Sequence, residues 1–348
     1  MDSENAIVID GQALSFAPGE TILQVANRNG IDIPTLCYLK GASPTGACRI
    51  CLVEVEGAKS LVASCATPAA AKMVVKTESP RVVRARRTNI ELLLASGHHN
   101  CLVQDMDMDS WTDFQLRSME AKEHEDHCPA YGDCRLQERA DRYQVRTGHF
   151  TPTDTPYPIE NVNPFIVRDF SRCVLCGRCV QACNAVQVNN AISFGYRGSV
   201  SKIVAKGDRA LRDSDCVFCG ECLQACPVGA LVPKQNSVSQ QSALEAKKTR
   251  TTCSYCGVGC QLYLHVKDNK VFKVTGVEDA SPNYGSLCVK GRFGHEFIHD
   301  PARLKTPLIR ENGVFREASW DEALGLVAER LTKIKGESVT DSIMVLSS

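Results

Sequence analysis

Eight cysteines in two copies of one spacing constrain this chain more than any other feature. Cys173, Cys176, Cys179 and Cys183 follow C-x2-C-x2-C-x3-C, and Cys216, Cys219, Cys222 and Cys226 repeat it, with Pro227 directly after the second copy. Three thiolates on one tight loop cover three corners of an iron cube, while the fourth, a turn later, points away toward a neighbouring cube. The spacing therefore predicts two [4Fe-4S] clusters with crossed ligand sets: Cys173, Cys176 and Cys179 with Cys226, and Cys216, Cys219 and Cys222 with Cys183. Asn184 stands where the first copy would carry its proline, which alters the turn without removing a ligand. Gly177 and Gly220 let backbone amides approach sulfur, a contact that tunes reduction potential.

The chain has 19 cysteines in all, an odd number that cannot pair completely into disulfides within one chain. Residues Met1 to Asp10 lack a basic start followed by an apolar core, and no stretch approaches the roughly 18 apolar residues of a membrane span. A cytoplasmic protein without a membrane span is expected, in which thiols stay reduced and bind metal. Arg86-Arg87 lies far inside the chain, before Ile90 to Leu94, and reads as part of an ordinary helix. Lys plus Arg equals Asp plus Glu, 40 each, so nothing in the overall charge favours nucleic acid. The expected partner is another protein or a small molecule.

Ahead of the paired motif, residues 5 to 36 read as a hairpin and a short helix. Ile7 to Ile9 and Ala13 to Phe16 flank a turn at Asp10-Gly11, and Pro18-Gly19-Glu20 opens a helix that stops at Asn29-Gly30. This order suggests a small β-grasp fold. Cys37, Cys48, Cys51 and Cys65 follow as C-x10-C-x2-C-x13-C, with a strand over Leu52 to Val55. Such a loop presents thiolates to two irons; zinc also takes four thiolates, but the long spacings favour iron. The run Thr45-Gly46-Ala47-Cys48-Arg49-Ile50-Cys51-Leu52-Val53-Glu54-Val55 resembles the [2Fe-2S] domain shared by the large subunit of respiratory complex I, iron-only hydrogenases and NAD-linked formate dehydrogenases. The resemblance covers residues 1 to 80.

A helix is expected over Val82 to Ala95, with Ile90, Leu93 and Leu94 on its apolar face, ending at Ser96-Gly97-His98-His99-Asn100-Cys101. In the same families this helix leads into a [4Fe-4S] cluster held by one histidine and three cysteines, and Cys128 and Cys134 keep the spacing of the last two. The resemblance thus implies Cys101, Cys128 and Cys134 with His98 or His99. His99 is preferred, and His124 and His127 remain alternatives. The sequence departs from the family where position 104 is glutamine and an insert, Leu102 to His127, separates the first two cysteines.

Residues 151 to 164 and 233 to 250 read as linkers, the first proline-rich and extended, the second polar. Cys253, Cys256, Cys260 and Cys288 come next, a set whose spacing alone also permits a zinc ribbon. Residues 251 to 310, however, closely resemble the [4Fe-4S] domain of molybdenum or tungsten bis-pterin oxidoreductases, especially formate dehydrogenases. That resemblance implies an electron-relay role for Lys290, between cluster and pterin. Ser319-Trp320-Asp321-Glu322 is a capping box opening a helix with Trp320, Ala323, Leu324, Val327, Leu331 and Ile334 on one face. Asp341 to Leu346 reads as the start of an apolar strand, and the chain is expected to be one piece of a longer protein.

Sets of four, three, eight and four cysteines account for all 19, so no cysteine is left over. The expected architecture is α+β and multidomain. A β-grasp [2Fe-2S] domain spans 1–80, a small helical domain with a histidine and three cysteines 81–148, and a two-cluster ferredoxin-like domain 149–236. A molybdopterin-oxidoreductase [4Fe-4S] domain spans 249–308, and 309–348 starts a molybdopterin-binding domain.

The combined resemblance implies the N-terminal iron-sulfur portion of a formate dehydrogenase catalytic subunit. It would carry one [2Fe-2S] and four [4Fe-4S] clusters. Formate or carbon dioxide would react at a molybdenum or tungsten bis(molybdopterin guanine dinucleotide) held beyond residue 348. A flavin- and NAD(P)-binding diaphorase-type subunit, or a ferredoxin, would exchange the electrons. The alternatives are a complex I-like large subunit, an iron-only hydrogenase-related subunit and a free-standing polyferredoxin.

Overall fold

The computed structural model describes residues 5–97, 99, 130, 133–145, 149–151, 157–234, 246–338 and 342–345. Strands β1 (Ala6–Ile9) and β2 (Gln12–Ser15) form the expected hairpin, in register Ile7 with Leu14 and Ile9 with Gln12. Asp10 and Gly11 between them both take positive φ, 48° and 82°, as a two-residue turn matched to strand twist requires. Helix α1 (Ile22–Arg28) starts later than Pro18-Gly19-Glu20 because Thr21 is its cap: Thr21 and Gln24 exchange side-chain to backbone hydrogen bonds.

Strands β3 (Leu52–Val55), β4 (Val62–Ala63) and β5 (Val74–Lys76) complete a mixed sheet in the order β2-β1-β5-β3-β4. In it β5 runs parallel to β1 and antiparallel to β3. Ile7, Ile9, Ile22, Leu23, Val53 and Val75 fill the space between sheet and helix, together with Cys51 and Cys65.

Helix α2 (Pro80–Ala95) is capped by Ser79 and opens on proline, whose missing N–H is no loss at that position. Val82, Ile90 and Leu94 point inward, and so does Arg86, which is fully buried. Its guanidinium donates to the Leu52 carbonyl (2.8 Å), to the Tyr143 hydroxyl (2.6 Å) and to Glu78 (2.6 Å), while Arg87 donates to the Tyr143 carbonyl (2.7 Å). The two arginines are therefore helical, as expected, but they also tie α2 to β3 and to helix α3 (Arg135–Arg142).

A second core runs across the expected domain limits, packing Cys37, Cys48 and Ile50 with Ile90, Leu94, Leu136, Val174 and Val228. Beyond it, strands β6 (Ile166–Arg168) and β9 (Leu231–Pro233) pair antiparallel, as do β7 (Ile192–Gly195) and β8 (Lys202–Ala205). Short helices α4 (Arg178–Gln181) and α5 (Glu221–Ala225) lie within this unit. The end of the segment expected to be an extended linker is built into the fold. Glu160 bridges Arg168 through backbone bonds, and buried Asn163 accepts the N–H groups of Phe165 and Ile166.

Strands β10 (Lys247–Thr252), β11 (Gln261–Lys267) and β12 (Lys270–Gly276) form a three-stranded antiparallel sheet. Residues 247 to 250 are thus strand rather than linker. Every side chain of β10 is exposed, so the strand is held by backbone pairing and carries no apolar alternation to reveal it. Helix α6 (Val289–Phe293) docks this unit on the preceding one, with the Phe293 ring stacked on Phe165 at 4.8 Å.

The hairpin of β13 (Leu308–Glu311) and β14 (Val314–Glu317) precedes helix α7 (Trp320–Glu337), whose Ser319 cap accepts the Glu322 N–H. The apolar face of α7 faces outward, and no residue of the helix is buried. Residues 342–345 form no strand, which corrects the expectation for 341–346 over that stretch. A strand requires a neighbouring strand, and no sheet among the described residues includes these four.

Candidate metal centres

The two cysteine repeats share a backbone. Leu175 and Phe218 take φ of 50° and 55°, and Gly177 and Gly220 follow at 77° and 76°. Successive reversals of this kind turn N–H groups toward one concave side, a natural anion seat. The Phe218 N–H points at Cys216 Sγ at 3.4 Å. Burial pushes the Cys173 and Cys176 thiols up to about 11 and about 12, opposed by the N–H groups of Leu175 and Arg178. Burial likewise raises Cys219, and the Glu221 N–H opposes it. Sulfur this deeply placed is held as thiolate only if a cation shares the site, so the donor set suits a metal cluster.

The last cysteine of the second repeat lies with the first three of the first repeat. Cys173, Cys176, Cys179 and Cys226 line one apolar cavity with Val174 and Val228, and Cys222 stands at the same wall. Burial is the first cause that raises all six of these thiols; Cys226 is among the further groups that raise Cys173, Cys176 and Cys179, Cys183 is among those that raise Cys216, Cys219 and Cys222, and Cys226 also acts on Cys222. The chain reaches these points differently. Helix α4 continues into a π turn over Ala182–Val186 that carries Cys183, and Asn184 permits it. After Cys226, Pro227 prevents the equivalent continuation.

Cys37, Cys48, Cys51 and Cys65 are all buried. The Cys37 N–H donates to Cys48 Sγ (3.4 Å), and hydrogen bonding with the Cys48 thiol pulls Cys37 down to about 5 while raising Cys48. Cys65 acts on Cys51 in the same way, bringing it to about 7, and is itself raised. Arg49, at φ 55°, lets the chain double back between Cys48 and Cys51.

Cys134 is buried, with Sγ 3.6 Å from the Pro227 carbonyl, which also accepts the Arg135 N–H (2.9 Å). Gly97 lies so close to Ser171 that a Cβ there would stand 2.1 Å from its carbonyl oxygen, and the same Cβ would lie 3.8 Å from His99 Nε2. Cys101, Cys128, His98, His124 and His127 fall outside the described residues.

In the last set the Cys253 N–H donates to the Cys260 carbonyl (2.8 Å). Burial raises the Cys260 thiol, followed by the influence of Cys253, Cys256 and Cys288. Cys288 caps α6, and a Cβ on Gly291 would lie 3.6 Å from Cys253 Sγ. Lys290 is exposed on the same helix.

Two residues the sequence did not single out join this set to the preceding one. Buried Arg292 donates to the Cys219 carbonyl (2.7 Å) and forms an ion pair with buried Glu221, which also accepts the Leu287 N–H (3.0 Å). Charged residues in short helices read as surface groups, and no pattern in the sequence marks these as buried.

No disulfide forms among the described cysteines. Among the described residues, no three His, Cys, Asp or Glu side chains close on one point as a single ion would require. No helix among the described residues is long and apolar enough to cross a membrane.

Four families match in succession. Residues 4–80 match the 2Fe-2S iron-sulfur cluster binding domain, 172–230 the 4Fe-4S dicluster domain, 246–300 the molybdopterin oxidoreductase Fe4S4 domain and 303–348 molybdopterin oxidoreductase. The Bacillus subtilis protein named "Putative formate dehydrogenase YrhE" is 32% identical over 99% of the chain. A subunit of the NADH-quinone oxidoreductase of Rhizobium meliloti is also 32% identical, over 95%. The chain spans 36% of the length of each. Because the second match runs nearly end to end, the paired motif does not by itself separate the two kinds of relative.

Among solved structures, a chain of an NAD+-reducing [NiFe]-hydrogenase in the H2-reduced state superposes with a TM-score of 0.58 at 31% identity. The match covers 69% of this chain and 91% of that one. Successive iron-sulfur and molybdopterin-oxidoreductase domains, with relatives that match along nearly the whole sequence, establish that the chain belongs to the iron-sulfur molybdopterin oxidoreductase family, alongside formate dehydrogenases and the related subunit of NADH-quinone oxidoreductase.

Proposed function

We propose that the chain is the electron-transferring N-terminal portion of a cytoplasmic formate dehydrogenase catalytic subunit. Its electrons would be exchanged with a flavin- and NAD(P)-binding partner or a ferredoxin. The observation that carries this reading is the crossed grouping of Cys226 with Cys173, Cys176 and Cys179, next to a unit that matches the molybdopterin oxidoreductase Fe4S4 domain. Half-buried thiols in two adjoining sets suit neighbouring redox centres better than isolated structural metals.

The residues divide the work. Cys37, Cys48, Cys51 and Cys65 would hold a [2Fe-2S] cluster in a β-grasp unit. Cys101, Cys128 and Cys134, with His99 or His98, would hold a [4Fe-4S] cluster. The eight cysteines from Cys173 to Cys226 would hold two more in crossed sets, and Cys253, Cys256, Cys260 and Cys288 a fourth. Such clusters supply one-electron conduction in either direction. Val174, Val228 and the buried side chains around them exclude water from sulfur. The N–H groups of Leu175, Arg178, Phe218 and Glu221 stabilise negative charge there, which favours the reduced state.

Lys290, exposed on the last unit, would relay electrons between the Cys253 cluster and a molybdenum- or tungsten-pterin, as the resemblance implies. The match to the Rhizobium meliloti NADH-quinone oxidoreductase favours one second reading, a complex I-type large subunit. Assaying the full-length protein with its partner separates them: formate should reduce NAD(P)+ or ferredoxin. NADH-driven quinone reduction without formate turnover would transfer the assignment to the second reading.

A further inference from the structure

Arg292 makes hydrogen bonds to residues of two separate cysteine sets. Its backbone N–H donates to the Cys288 carbonyl (3.0 Å), and its Nε donates to the Cys219 carbonyl (2.7 Å). Its other nitrogens reach Gln224 Oε1 (2.5 Å) and Glu221. Glu221 in turn accepts the N–H of Leu287, the neighbour of Cys288, and Gln224 accepts the Gly276 N–H (3.3 Å) from β12. Arg292 and Glu221 are both buried, and the approach of Arg292 depends on Gly220, where a Cβ would lie 2.3 Å from Arg292 Cδ.

A buried ion pair is an expensive way to join two domains, since apolar packing of the same volume does so at least as well. Apolar packing is in fact present, in the stacked Phe165 and Phe293 rings. What a guanidinium adds is a fixed positive charge beside the Cys219 end of one set and a short bonded path to Cys288 of the other.

We propose that Arg292 is a positioning residue that couples the Cys216–Cys219–Cys222–Cys183 centre to the Cys253–Cys256–Cys260–Cys288 centre, with Glu221 setting the net charge between them. This rests on the cluster assignments above. Reduction adds negative charge to a cluster, so the guanidinium stabilises the reduced form and the carboxylate opposes it. In a buried site neither effect is strongly screened by salt.

The test is a reductive EPR titration of the anaerobically purified chain, with the Cys216-set signal identified by its loss in Cys219→Ser. Arg292→Gln should shift that centre roughly tenfold toward its oxidised form, which is about 59 mV lower for one electron. It should also weaken the spin-spin interaction with the Cys253 centre. Glu221→Gln should move the potential of the same centre in the opposite direction. A purely structural pair would move both variants the same way.

Shifts of one sign, or no shift in either variant, overturn the proposal. If Arg292→Gln loses iron, Glu221→Gln carries the test, and an unchanged or lowered potential overturns it. Loss of the Cys216-set signal from both variants, with the other centres intact, makes the pair structural only and also overturns it. Absence of cluster signals from the wild-type chain would instead refute the cluster assignments themselves.

Discussion

The Arg86 guanidinium lies 2.6 Å from the Tyr143 hydroxyl, in the interior between α2 and α3, and one of its nitrogens also holds the carbonyl that follows Cys51. Arg86 thereby connects the Cys51 loop to the segment that carries Cys134. Arg86→Met would leave the Leu52 carbonyl without this donor, while Glu78, partly exposed, could return to water. The variant should lose about 2–3 kcal/mol of stability. Urea unfolding followed by visible circular dichroism of the [2Fe-2S] centre measures this, and an unchanged midpoint would refute the role.

Crossed grouping makes a prediction that sequence proximity would reverse. Cys226→Ser should alter the same EPR signal as Cys176→Ser, and Cys183→Ser the same signal as Cys219→Ser. The [2Fe-2S] spectrum should stay intact in all four. Pairing by sequence repeat, with Cys226→Ser and Cys219→Ser affecting one signal, would contradict the cavity geometry.

Gly220 is required twice, by its φ of 76° and by its contact with Arg292. Gly220→Ala should cost about 2–4 kcal/mol, combining left-handed strain with overpacking. Gly198 has a φ of 63° and open space around it, so Gly198→Ala should show the strain alone, about 1 kcal/mol. Thermal unfolding of the two variants compares them directly; equal losses would mean that the contact with Arg292 contributes nothing.

His265 on β11 is buried and its pKa is lowered to about 4, first by burial and then by Lys273 and Lys248, with Asp133 opposing. The unfolded chain binds the proton more readily than the folded one. Stability from the neutral imidazole is therefore fully present above about pH 6.5 and is lost as pH falls toward 4, by on the order of 3 kcal/mol. His265→Gln can keep the hydrogen bond to Thr275 and should flatten this difference. Parallel stability profiles of wild type and variant between pH 7 and pH 4 would exclude the effect.

Much of the fold was legible in local chemistry. Asp10-Gly11 marked a hairpin, Ser319 and Glu322 marked the start of α7, and the cysteine spacing marked the paired loops. What escaped was structure whose cause lies elsewhere in the chain. Val74–Lys76 is too short to show a period and is a strand because β1 and β3 flank it. Lys247–Thr252 has no apolar face and is a strand because β11 pairs with it. Arg86, Glu221 and Arg292 carry charge, which argues for the surface, and are buried because partners distant in sequence satisfy them. At the candidate sites the donor types were readable, whereas the contacts linking one site to the next were not.

The central claim is that these thiols hold iron rather than zinc or disulfides. Quantifying iron, zinc and acid-labile sulfide in the anaerobically purified chain tests it most directly. A brown protein with about 18 irons per chain, from one binuclear and four tetranuclear clusters, and a matching amount of sulfide is expected. A colourless protein containing zinc, or one whose cysteines are oxidised to disulfides, would contradict it.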